Sequence, residues 1–461
     1  MLFERVYEDG LAHASFMIAC QKKNTALVVD PRRDVSVYLD LAAKHGLTIE
    51  AVTETHIHAD YLSGSRELAA TTGATLYVSG EGGEDWQYGF EAERLHTGDT
   101  ITLGNITVEA VHTPGHTPEH LTFLITDGAV ADEPGYMLTG DFVFVGDVGR
   151  PDLLDEAAGG EDTRFTGAKD LFRSLKNTFL TMPDYVQVFP AHGAGSPCGK
   201  SLGAVPSTTV GYERATAWWA PFVENDDEQG FIDSLLEGQP DAPTYFSRMK
   251  RLNKEGPALL GQRHRPDELE SEAVDGLVRD EEAIVVDPRD QHAVHSGTYP
   301  GSLNIPAGAN ASKFAAWTID PDSEHRRLII ATDDAELARD CSDAFVRVGV
   351  DNEVDYFSPA DADLTQVPKL VAVDDLSDTD YAALVDVREQ TEFDAGTIDG
   401  ALHLPGGKAH WTLDALPSDG PLVTFCQSGA RNSVVSSMLR RQGFDIVELE
   451  GSYAAWEAAR S

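Results

Sequence analysis

The chain has 461 residues, which is too long for a single hydrophobic core, so two or three domains are expected. Its 77 acidic residues outnumber 35 basic residues and give a formal net charge of −42. Such a field repels nucleic-acid backbones and anionic membrane surfaces, so neither is an expected partner. The hydrophobic content of 41% argues against disorder. We interpret the acidity as a halophile-type surface, which molar KCl should stabilise.

Cysteine usage and the N-terminal sequence predict a soluble cytoplasmic protein. The chain has 4 cysteines and no Cys-x-x-Cys pair, which does not make a disulfide framework and favours a reducing compartment. The first residues lack the basic and apolar regions of a signal peptide. No apolar run approaches the length of a transmembrane helix.

Early in the chain, the most informative segment is Thr-His-Ile-His-Ala-Asp at residues 55–60, after an apolar run that ends at Val52. His56, His58 and Asp60 alternate, so their side chains would share one face of an extended stretch. Two imidazoles and a carboxylate that converge at a strand end are the ligand set expected for zinc or non-haem iron. This segment therefore predicts a transition-metal site.

Later segments supply further ligands in a fixed order. These segments are His112-Thr-Pro-Gly-His116, Thr139-Gly140-Asp141 and Ala191-His192-Gly193. Each follows a short strand-like run and has Gly or Pro beside its His or Asp, as a loop-borne ligand needs. The order His-x-His-x-Asp, Gly-His, Gly-Asp, Ala-His-Gly resembles the metallo-β-lactamase superfamily. Asp30, after the apolar run Leu27 to Val29, matches the early strand-end aspartate of that family.

Up to about residue 200, short β-branched runs alternate with helical stretches, a pattern typical of layered α/β architecture. From about residue 208 the sequence changes to helical segments. An acidic stretch at 267–272 is interpreted as a linker.

The remainder of the chain contains an internal repeat. The first copy has Asp287-Pro-Arg289 after an apolar run, and the second has Asp386-Val-Arg388. Pro306 and Pro405 follow these aspartates at the same spacing. The pattern predicts two α/β modules of similar size that are built on parallel strands.

Only the second copy carries a candidate nucleophile. The segment Cys426-Gln427-Ser428-Gly429-Ala430-Arg431 follows a strand and opens a helix. A thiol in that position faces successive backbone N–H groups and a helix N-terminus, both of which stabilise a thiolate. Arg431 adds a positive charge. The same loop would hold a persulfide or a small sulfur oxyanion.

This loop, with the Asp-x-Arg and Gly-x-Ile-x-Gly-Ala-x-x-x-Pro framework before it, resembles a rhodanese domain. The first copy has Thr332 where the second has Cys426, and Leu337 where Arg431 would be needed. The first copy therefore resembles an inactive rhodanese homologue.

A metallo-β-lactamase-like domain followed by an inactive and an active rhodanese-like domain resembles the persulfide dioxygenase–rhodanese fusion family along essentially the whole chain. The resemblance implies an αββα sandwich at 1–262, with a helical extension, and two parallel α/β domains at 273–362 and 372–461. It implies oxidation of low-molecular-weight persulfides by dioxygen to sulfite, coupled to sulfane-sulfur transfer between persulfide, sulfite and thiosulfate. We also expect a homo-oligomer.

The resemblance further implies one Fe(II) ion held by His56, His116 and Asp141, with open positions for dioxygen and a sulfur substrate. The groups expected around these ligands or beside the substrate are His58, Asp60, His192, Arg150 and Cys198. Cys198 is near Lys200, whose charge would favour a thiolate. Both a role in sulfur uptake and a role as a packed small residue stay open for Cys198.

Two other functional classes stay open. A dinuclear zinc thioester hydrolase of the glyoxalase II type would keep the sheet motifs, although many such hydrolases have His at the position of Tyr61 to bind their second metal. A sulfur-carrier or sensing module would use the metal only structurally. Metal analysis separates the three, because they require iron, a pair of zinc ions, or a metal whose removal leaves sulfur transfer intact.

Overall fold

The structure, a computed structural model, describes residues 1–153 and 163–460. They form two compact units, one of Met1–Ala242 with Phe246–Gly261 and one of Pro243–Tyr245 with the chain from Gln262 onward. Residue 461, the predicted end of the last domain, lies outside the described residues. Within the described ranges, no helix has both the length and the apolar character to cross a membrane.

The N-terminal unit contains two six-stranded sheets. The first sheet consists of β1 (Leu2–Glu8), β2 (His13–Cys20), β3 (Thr25–Val29), β4 (Thr48–Thr53), β5 (Thr75–Ser79) and β6 (Glu93–Leu95), paired in that order. The second sheet consists of β7 (Thr100–Leu103), β8 (Ile106–His112), β9 (Leu121–Asp127), β10 (Tyr136–Gly140), β11 (Gln187–Pro190) and β12 (Thr208–Thr209), also paired in that order.

Helices cover the outer faces of these sheets. The helices of this unit within the described residues are α1 (Ser36–His45), α2 (Ser65–Thr72), α3 (Thr163–Asn177), α4 (Val210–Thr216), α5 (Ala220–Glu224), α6 (Glu228–Leu236) and α7 (Tyr245–Glu255, in this unit from Phe246). Short 3₁₀ turns lie at Glu84–Trp86 and Phe179–Thr181. The predicted change to helical structure near residue 208 is thus present as α4 to α7, directly after the short strand β12.

Apolar side chains form the layers of an αββα sandwich. Phe16 of the first sheet and Phe123 of the second lie in one buried cluster between the sheets. Tyr38 of α1 packs on the outer face of the first sheet. Leu171 of α3 belongs to a third cluster, on the outer face of the second sheet. The alternating burial along β8 shows why this sequence forms a strand with one face in the core. The predicted sandwich is confirmed.

The C-terminal unit contains two parallel sheets that share a four-strand order, and the second sheet adds β17 at one edge. The first pairs β14 (Leu303–Asn304), β13 (Ala283–Asp287), β15 (Arg327–Ala331) and β16 (Val354–Phe357) in that spatial order. The second pairs β19 (Leu402–His403), β18 (Ala383–Asp386), β20 (Leu422–Phe425), β21 (Ile446–Leu449) and β17 (Lys369–Val371). The predicted parallel α/β architecture is confirmed.

The helices of this unit follow the repeat. They are α8 (Ser271–Arg279), α9 (Gln291–His295), α10 (Ala311–Thr318), α11 (Ala335–Val346), α12 (Gln390–Asp394), α13 (Gly406–Ala409), α14 (Ala430–Arg441) and α15 (Ser452–Ala458). Short 3₁₀ turns lie at Pro359–Asp361, Val373–Asp378 and Leu413–Ala415. Both copies fall in the same compact unit, while the predicted boundaries between them stay predictions.

The interpretation of residues 267–272 as a linker is wrong. The backbone N–H of Leu269 donates to the carbonyl oxygen of Tyr356 at 2.8 Å, so this acidic stretch lies along β16. Ser271 already begins α8. Composition did not reveal this arrangement, because backbone hydrogen bonds to a sheet edge do not depend on the side chains.

Candidate metal centre and thiol loop

The carboxyl ends of β4, β8, β10 and β11 bring the metal-binding motifs of the N-terminal unit together. His56, His116 and Asp141 are buried and form one group whose ligand atoms all lie within 4.8 Å of one another. Nε2 of His116 lies 3.4 Å from Oδ2 of Asp141, and Nε2 of His56 lies 3.9 Å from the same oxygen. These spacings are short enough for a single ion to contact all three side chains.

Hydrogen bonds fix the tautomer of His56. Thr55 donates its hydroxyl proton to Asp30 Oδ2 at 2.9 Å, so its oxygen accepts from Nδ1–H of His56, also at 2.9 Å. The lone pair of His56 Nε2 therefore points toward Asp141. A histidine that donates its other ring nitrogen in this way is typical of metal sites, because the outer partner orients the ring.

His116 is held in the same way, by the backbone of the loop that follows β10. Its Nδ1 donates to the carbonyl oxygen of Arg150 at 3.0 Å, which leaves Nε2 as a metal-ligating atom. His120 Nε2 accepts the backbone N–H of Asp141 at 3.1 Å. Gly140 precedes that aspartate with φ at +49°, and a Cβ there would lie 2.6 Å from Thr55 Oγ1. Only glycine fits this turn, which presents Asp141 to both histidines.

His58 and Asp60 do not join this group, so the expectation that His56, His58 and Asp60 share one face is wrong. The strand β4 ends at Thr53, before the motif begins, and the loop lacks the side-chain alternation of a strand. His58 Nε2 instead lies 3.1 Å from Asp30 Oδ1. Burial opposes the positive charge on His58, but Asp30 outweighs it and raises the pKa of this histidine to about 9.

Asp60 belongs to a second buried group with His192 and Cys198. Nε2 of His192 lies 3.4 Å from Asp60 Oδ2 and 3.6 Å from Asp141 Oδ1, so the two groups are adjacent. His192 donates Nδ1–H to the carbonyl oxygen of Ala12 at 3.1 Å. Its Nε2, both carboxylate oxygens of Asp141 and one of Asp60 are buried without a hydrogen-bond partner among the described residues. Such clustered unsatisfied atoms are expected where a cation binds.

The side chain of Arg150 is committed to the protein itself. Its guanidinium forms an ion pair with Asp152 and donates to the carbonyl oxygens of Pro197 at 3.1 Å and Pro240 at 2.6 Å. Only its backbone oxygen reaches the centre, through His116. Arg150 therefore orients a candidate ligand and ties the loop of Cys198 to the helical extension.

Cys198 is buried, and its pKa is raised well above the usual value by burial and by the charges of Asp141 and Asp60. Lys200 does not counteract this shift, because its ammonium donates to the carbonyl oxygens of Ser234 and Glu237. This direction favours a neutral thiol and thus the packed small residue, one of the two roles that the sequence left open for Cys198. The motif predicted a neighbouring cation, but not that its side chain turns toward two carbonyl oxygens.

One positioning residue of this loop was not predicted from the sequence. Asn253 of α7 donates to the carbonyl oxygens of His58 at 2.8 Å and Tyr61 at 2.7 Å, and accepts the N–H of Ser63 at 2.9 Å. It lies near the C-terminal end of α7, and nothing in the sequence links that helix to residues 58–63.

In the C-terminal unit, β20 ends directly before Cys426, and Gly429 closes the loop at the start of α14. The backbone N–H of Gly429 donates to Sγ of Cys426 at 3.1 Å. The N–H of Cys426 lies 3.3 Å from Ser452 Oγ. Gln427 accepts from Arg388 at 3.3 Å through its side chain. As predicted, the thiol lies at the N-terminal end of a helix, with a backbone donor directed at it.

Arg431 is paired with another side chain in this loop. Its guanidinium forms two hydrogen bonds with the carboxylate of Glu392, at 2.6 and 2.8 Å. Ser428, which is exposed, and Ala430, which is half-buried, complete the loop beside it. The charge that the sequence assigned to the thiol is thus shared with α12.

Taken together, the fold and the site define a protein with a buried His/Asp group suited to a metal ion in a sandwich unit and a thiol loop in a parallel α/β unit. Residues 9–192 match the model of the metallo-beta-lactamase superfamily, and residues 371–459 match that of the rhodanese-like domain. A crystal structure of a metallo-beta-lactamase from Staphylococcus aureus subsp. aureus COL has 38% sequence identity and a TM-score of 0.68. The match covers 77% of this chain and 99% of that one. The chain belongs to the metallo-beta-lactamase superfamily and carries a rhodanese-like domain at its C-terminal end.

More distant curated relatives differ in their activities. The mitochondrial persulfide dioxygenase ETHE1 of Bos taurus is 26% identical over 200 residues, which is 42% of this chain and 68% of that protein. The probable polyketide biosynthesis zinc-dependent hydrolase BaeB of Bacillus velezensis is 23% identical over 210 residues, or 45% of this chain and 85% of that protein.

Proposed function

We propose that this protein is a non-haem Fe(II) dioxygenase that oxidises low-molecular-weight persulfides to sulfite, coupled to rhodanese sulfur transfer. The observation that carries the proposal is the group of His56, His116 and Asp141, from which His58 is turned away. Two histidines and one carboxylate with open positions are the ligand set of non-haem iron oxygenases. The similarity to a persulfide dioxygenase and the rhodanese-like domain support the choice of a sulfur substrate.

The residues present fit an iron ion. Both candidate histidines have Nδ1 occupied by an oxygen acceptor, and neither oxygen of Asp141 has a hydrogen-bond partner among the described residues. An iron(II) ion in this site would supply the redox chemistry that dioxygen requires. The surrounding side chains are buried, so water has little access to the reacting atoms.

The overall oxidation balances without a nucleotide cofactor. A persulfide, one dioxygen and one water give a thiol, sulfite and two protons, so the outer sulfur is oxidised and dioxygen is reduced. His192 Nε2 lies 3.6 Å from Oδ1 of the candidate ligand Asp141 and 3.4 Å from Asp60 Oδ2. We assign His192 and Asp60 to orienting the substrate and accepting the released protons.

The thiol loop would use the sulfite. The lone pair on the sulfur of sulfite attacks the outer sulfur of a Cys426 persulfide, the S–S bond breaks, and its electron pair stays on Cys426 as a thiolate. The product is thiosulfate, and the reverse reaction loads Cys426. The N–H of Gly429, 3.1 Å from Sγ, stabilises the negative charge that returns to the sulfur. One polypeptide raises the effective concentration of sulfite at the thiol.

The experiment is oxygen uptake by the iron-loaded protein with a defined persulfide, together with metal analysis. Asp141→Ala should lose bound iron and oxygen uptake together, whereas loss of an outer group costs about 10- to 100-fold. Asp99→Ala is the matched control, because Asp99 is an exposed carboxylate in the same unit. An Asp141→Ala protein that retained both iron and uptake would show that the ligand assignment is wrong.

A dinuclear zinc thioester hydrolase is the second candidate, favoured by the group of Asp60, His192 and Cys198 next to the first. In this reading Cys198 supplies the ligand that Tyr61 cannot, since the Tyr61 hydroxyl donates to the carbonyl oxygen of Asp30 at 3.2 Å. A protein that bound a pair of zinc ions and cleaved thioesters, without oxygen uptake, would support this reading over the first.

A further inference from the structure

A cavity of about 560 Å³ lies in the C-terminal unit, between the two copies of the repeat. Its volume is in the range of sites for small organic ligands. Apolar side chains form part of its lining, namely Ile284, Leu303, Ile319 and Met438. Residues of both copies line it, so the site exists only because the repeat is doubled.

The charged lining of this cavity is unusual for so acidic a chain. Three arginines, Arg326, Arg440 and Arg441, line the cavity together with the carboxylates of Asp320 and Glu324. The chain as a whole carries 77 acidic against 35 basic residues. Basic residues therefore outnumber acidic residues in the lining of this cavity, whereas acidic residues outnumber basic residues in the chain as a whole.

Two of the three arginines are partly neutralised. Arg326 donates to Glu324 through Nε at 2.7 Å and Nη2 at 2.5 Å. Arg440 donates to Glu448 through Nη2. Each guanidinium carries five N–H donors, so both arginines keep donors that no described residue accepts from.

Arg441 is the arginine of this cavity that forms no ion pair with a described residue. Its one hydrogen bond in the described part of the chain goes from Nη1 to the carbonyl oxygen of Gly301 at 2.9 Å. The pKa of Arg441 is lowered by burial and then by the charge of Arg326, against the opposing charge of Glu324. Two neighbouring half-buried guanidinium groups with donors to spare form a receptor for an anion that has several oxygens.

The position of Arg440 and Arg441 at the last turn of α14 also has a simpler explanation, since cations there complement the helix dipole. That effect explains neither Arg326, which comes from the other copy, nor the cavity. It also does not explain why Arg441 lacks a carboxylate partner among the described residues.

We propose that this cavity binds a phosphorylated small molecule of nucleotide size. Arg441 and Arg326 would hold the phosphate oxygens, and the apolar lining would contact the organic part. A bare tetrahedral anion is far smaller than the cavity. The site is separate from the thiol loop, because α14 has 12 residues and thus places Arg441 about 16 Å from Ala430.

Calorimetric titration of the full-length protein tests the proposal. The probes are AMP, ADP and a hexose phosphate, with adenosine and thiosulfate as comparison arms. At least one phosphorylated probe should bind at micromolar concentration. If AMP binds in this range, adenosine, which lacks the phosphate, should bind at least tenfold more weakly. No binding by any of the three at millimolar concentration would overturn the proposal. Equal binding of thiosulfate at the same site would reassign it to small sulfur oxyanions and also overturn it.

Variants locate the binding. Arg441→Gln should weaken binding of the phosphorylated probe by at least tenfold. Arg441→Lys keeps the charge but loses the planar guanidinium, so its affinity should lie between those of the wild type and Arg441→Gln. Arg173→Gln is the control, an exposed arginine of α3 paired only with Asp170. An unfolding midpoint measured for each variant separates lost binding from lost folding. Undiminished binding by folded Arg441→Gln would overturn the proposal.

Discussion

The two copies of the repeat keep the same framework and differ at the loop that precedes one helix. In both, a buried aspartate at the end of a strand pairs with an arginine two residues later, Asp287 with Arg289 and Asp386 with Arg388. Each arginine also donates to a glycine carbonyl oxygen, at 2.8 Å in the first copy and 2.7 Å in the second. The framework is therefore independent of the chemistry.

The loops themselves are occupied differently. In the first copy, residues 332–334 join β15 to α11, and the carboxylate of Asp334 accepts the N–H groups of Glu336 at 2.8 Å and Leu337 at 3.2 Å. In the second copy, residues 426–429 precede α14, and a backbone N–H is directed at the Cys426 sulfur. In the first copy, the carboxylate of Asp334 therefore occupies the N-terminal end of α11. Under the proposed function, loop residues and not the fold decide which copy can transfer sulfur.

The largest expected effect is at the thiol. Cys426→Ser should lower thiosulfate exchange by at least about 10³-fold, because the hydroxyl is a poor nucleophile and cannot carry a sulfane sulfur. Oxygen uptake should remain nearly intact, since the metal motifs lie in the other unit. Thiosulfate turnover and oxygen uptake, measured on one preparation, check both expectations. Unchanged turnover would remove the second copy from the reaction.

The shared framework should not be equally strong in the two copies. Arg388 is 3% exposed and Arg289 is 30% exposed, although both partner aspartates are buried. Asp386→Ala leaves a buried guanidinium without its carboxylate and should cost about 3–5 kcal/mol of unfolding free energy. Asp287→Ala should cost less, about 1–3 kcal/mol, because water can reach Arg289.

Urea unfolding of the two variants measures this difference. The wild-type chain is the reference for both, and fluorescence and circular dichroism should give the same midpoints. Equal losses in the two variants would contradict an effect of arginine burial. A larger loss in the first copy would reverse our ranking of the two pairs.

A smaller effect is expected at the residue before each helix. Gly429 has φ at +108°, and the atoms nearest to a Cβ there belong to Gln291, at 3.7 Å, so Gly429→Ala meets strain rather than a clash. We expect a loss of about 1–2 kcal/mol and slower sulfur transfer, because the N–H that reaches Cys426 shifts. Asp334→Ala removes a helix cap, costs about 1 kcal/mol and should leave transfer unchanged.

Thermal unfolding and thiosulfate exchange, recorded for Gly429→Ala and Asp334→Ala in parallel, separate stability from chemistry. Slower exchange in Asp334→Ala would mean that the first copy supports the thiol loop of the second. Normal exchange in Gly429→Ala would mean that the backbone donor is dispensable.

The sequence predicted most of this architecture because its signals are local. Strand runs followed by Gly, Pro, His or Asp identified the loops that meet at the metal centre, and the repeat identified two parallel modules. The prediction of a linker at 267–272 was wrong because this segment pairs with β16 through backbone atoms. The Asp–Arg ion pairs at the ends of β13 and β18 were visible in the sequence only as the Asp-x-Arg spacing.

The sequence predicted which residues lie in the candidate site, but not the direction in which their side chains point. Short-range motifs brought His56 and Asp141 to attention, yet the turn of His58 toward Asp30 depends on where β4 ends. Lys200 and Arg431 were read as charges near thiols, but each side chain is directed at another acceptor. Rotamers and long-range partners are set by packing, which a motif does not encode.

The last prediction concerns whether a thiol alone would activate the first copy. Thr332→Cys, made in the Cys426→Ser background, should leave thiosulfate exchange at background. Thr332 Oγ1 now accepts the N–H of Asp334 at 3.1 Å, and Asp334 caps the helix, so a sulfur there would face a carboxylate. Leu337 also stands where Arg431 would be needed. Adding Asp334→Gly would remove the competing anion, and a detectable gain only in that combined variant would identify the cap as the block. Recovery by Thr332→Cys alone would show that the comparison of the loops is wrong and that the framework is sufficient for transfer.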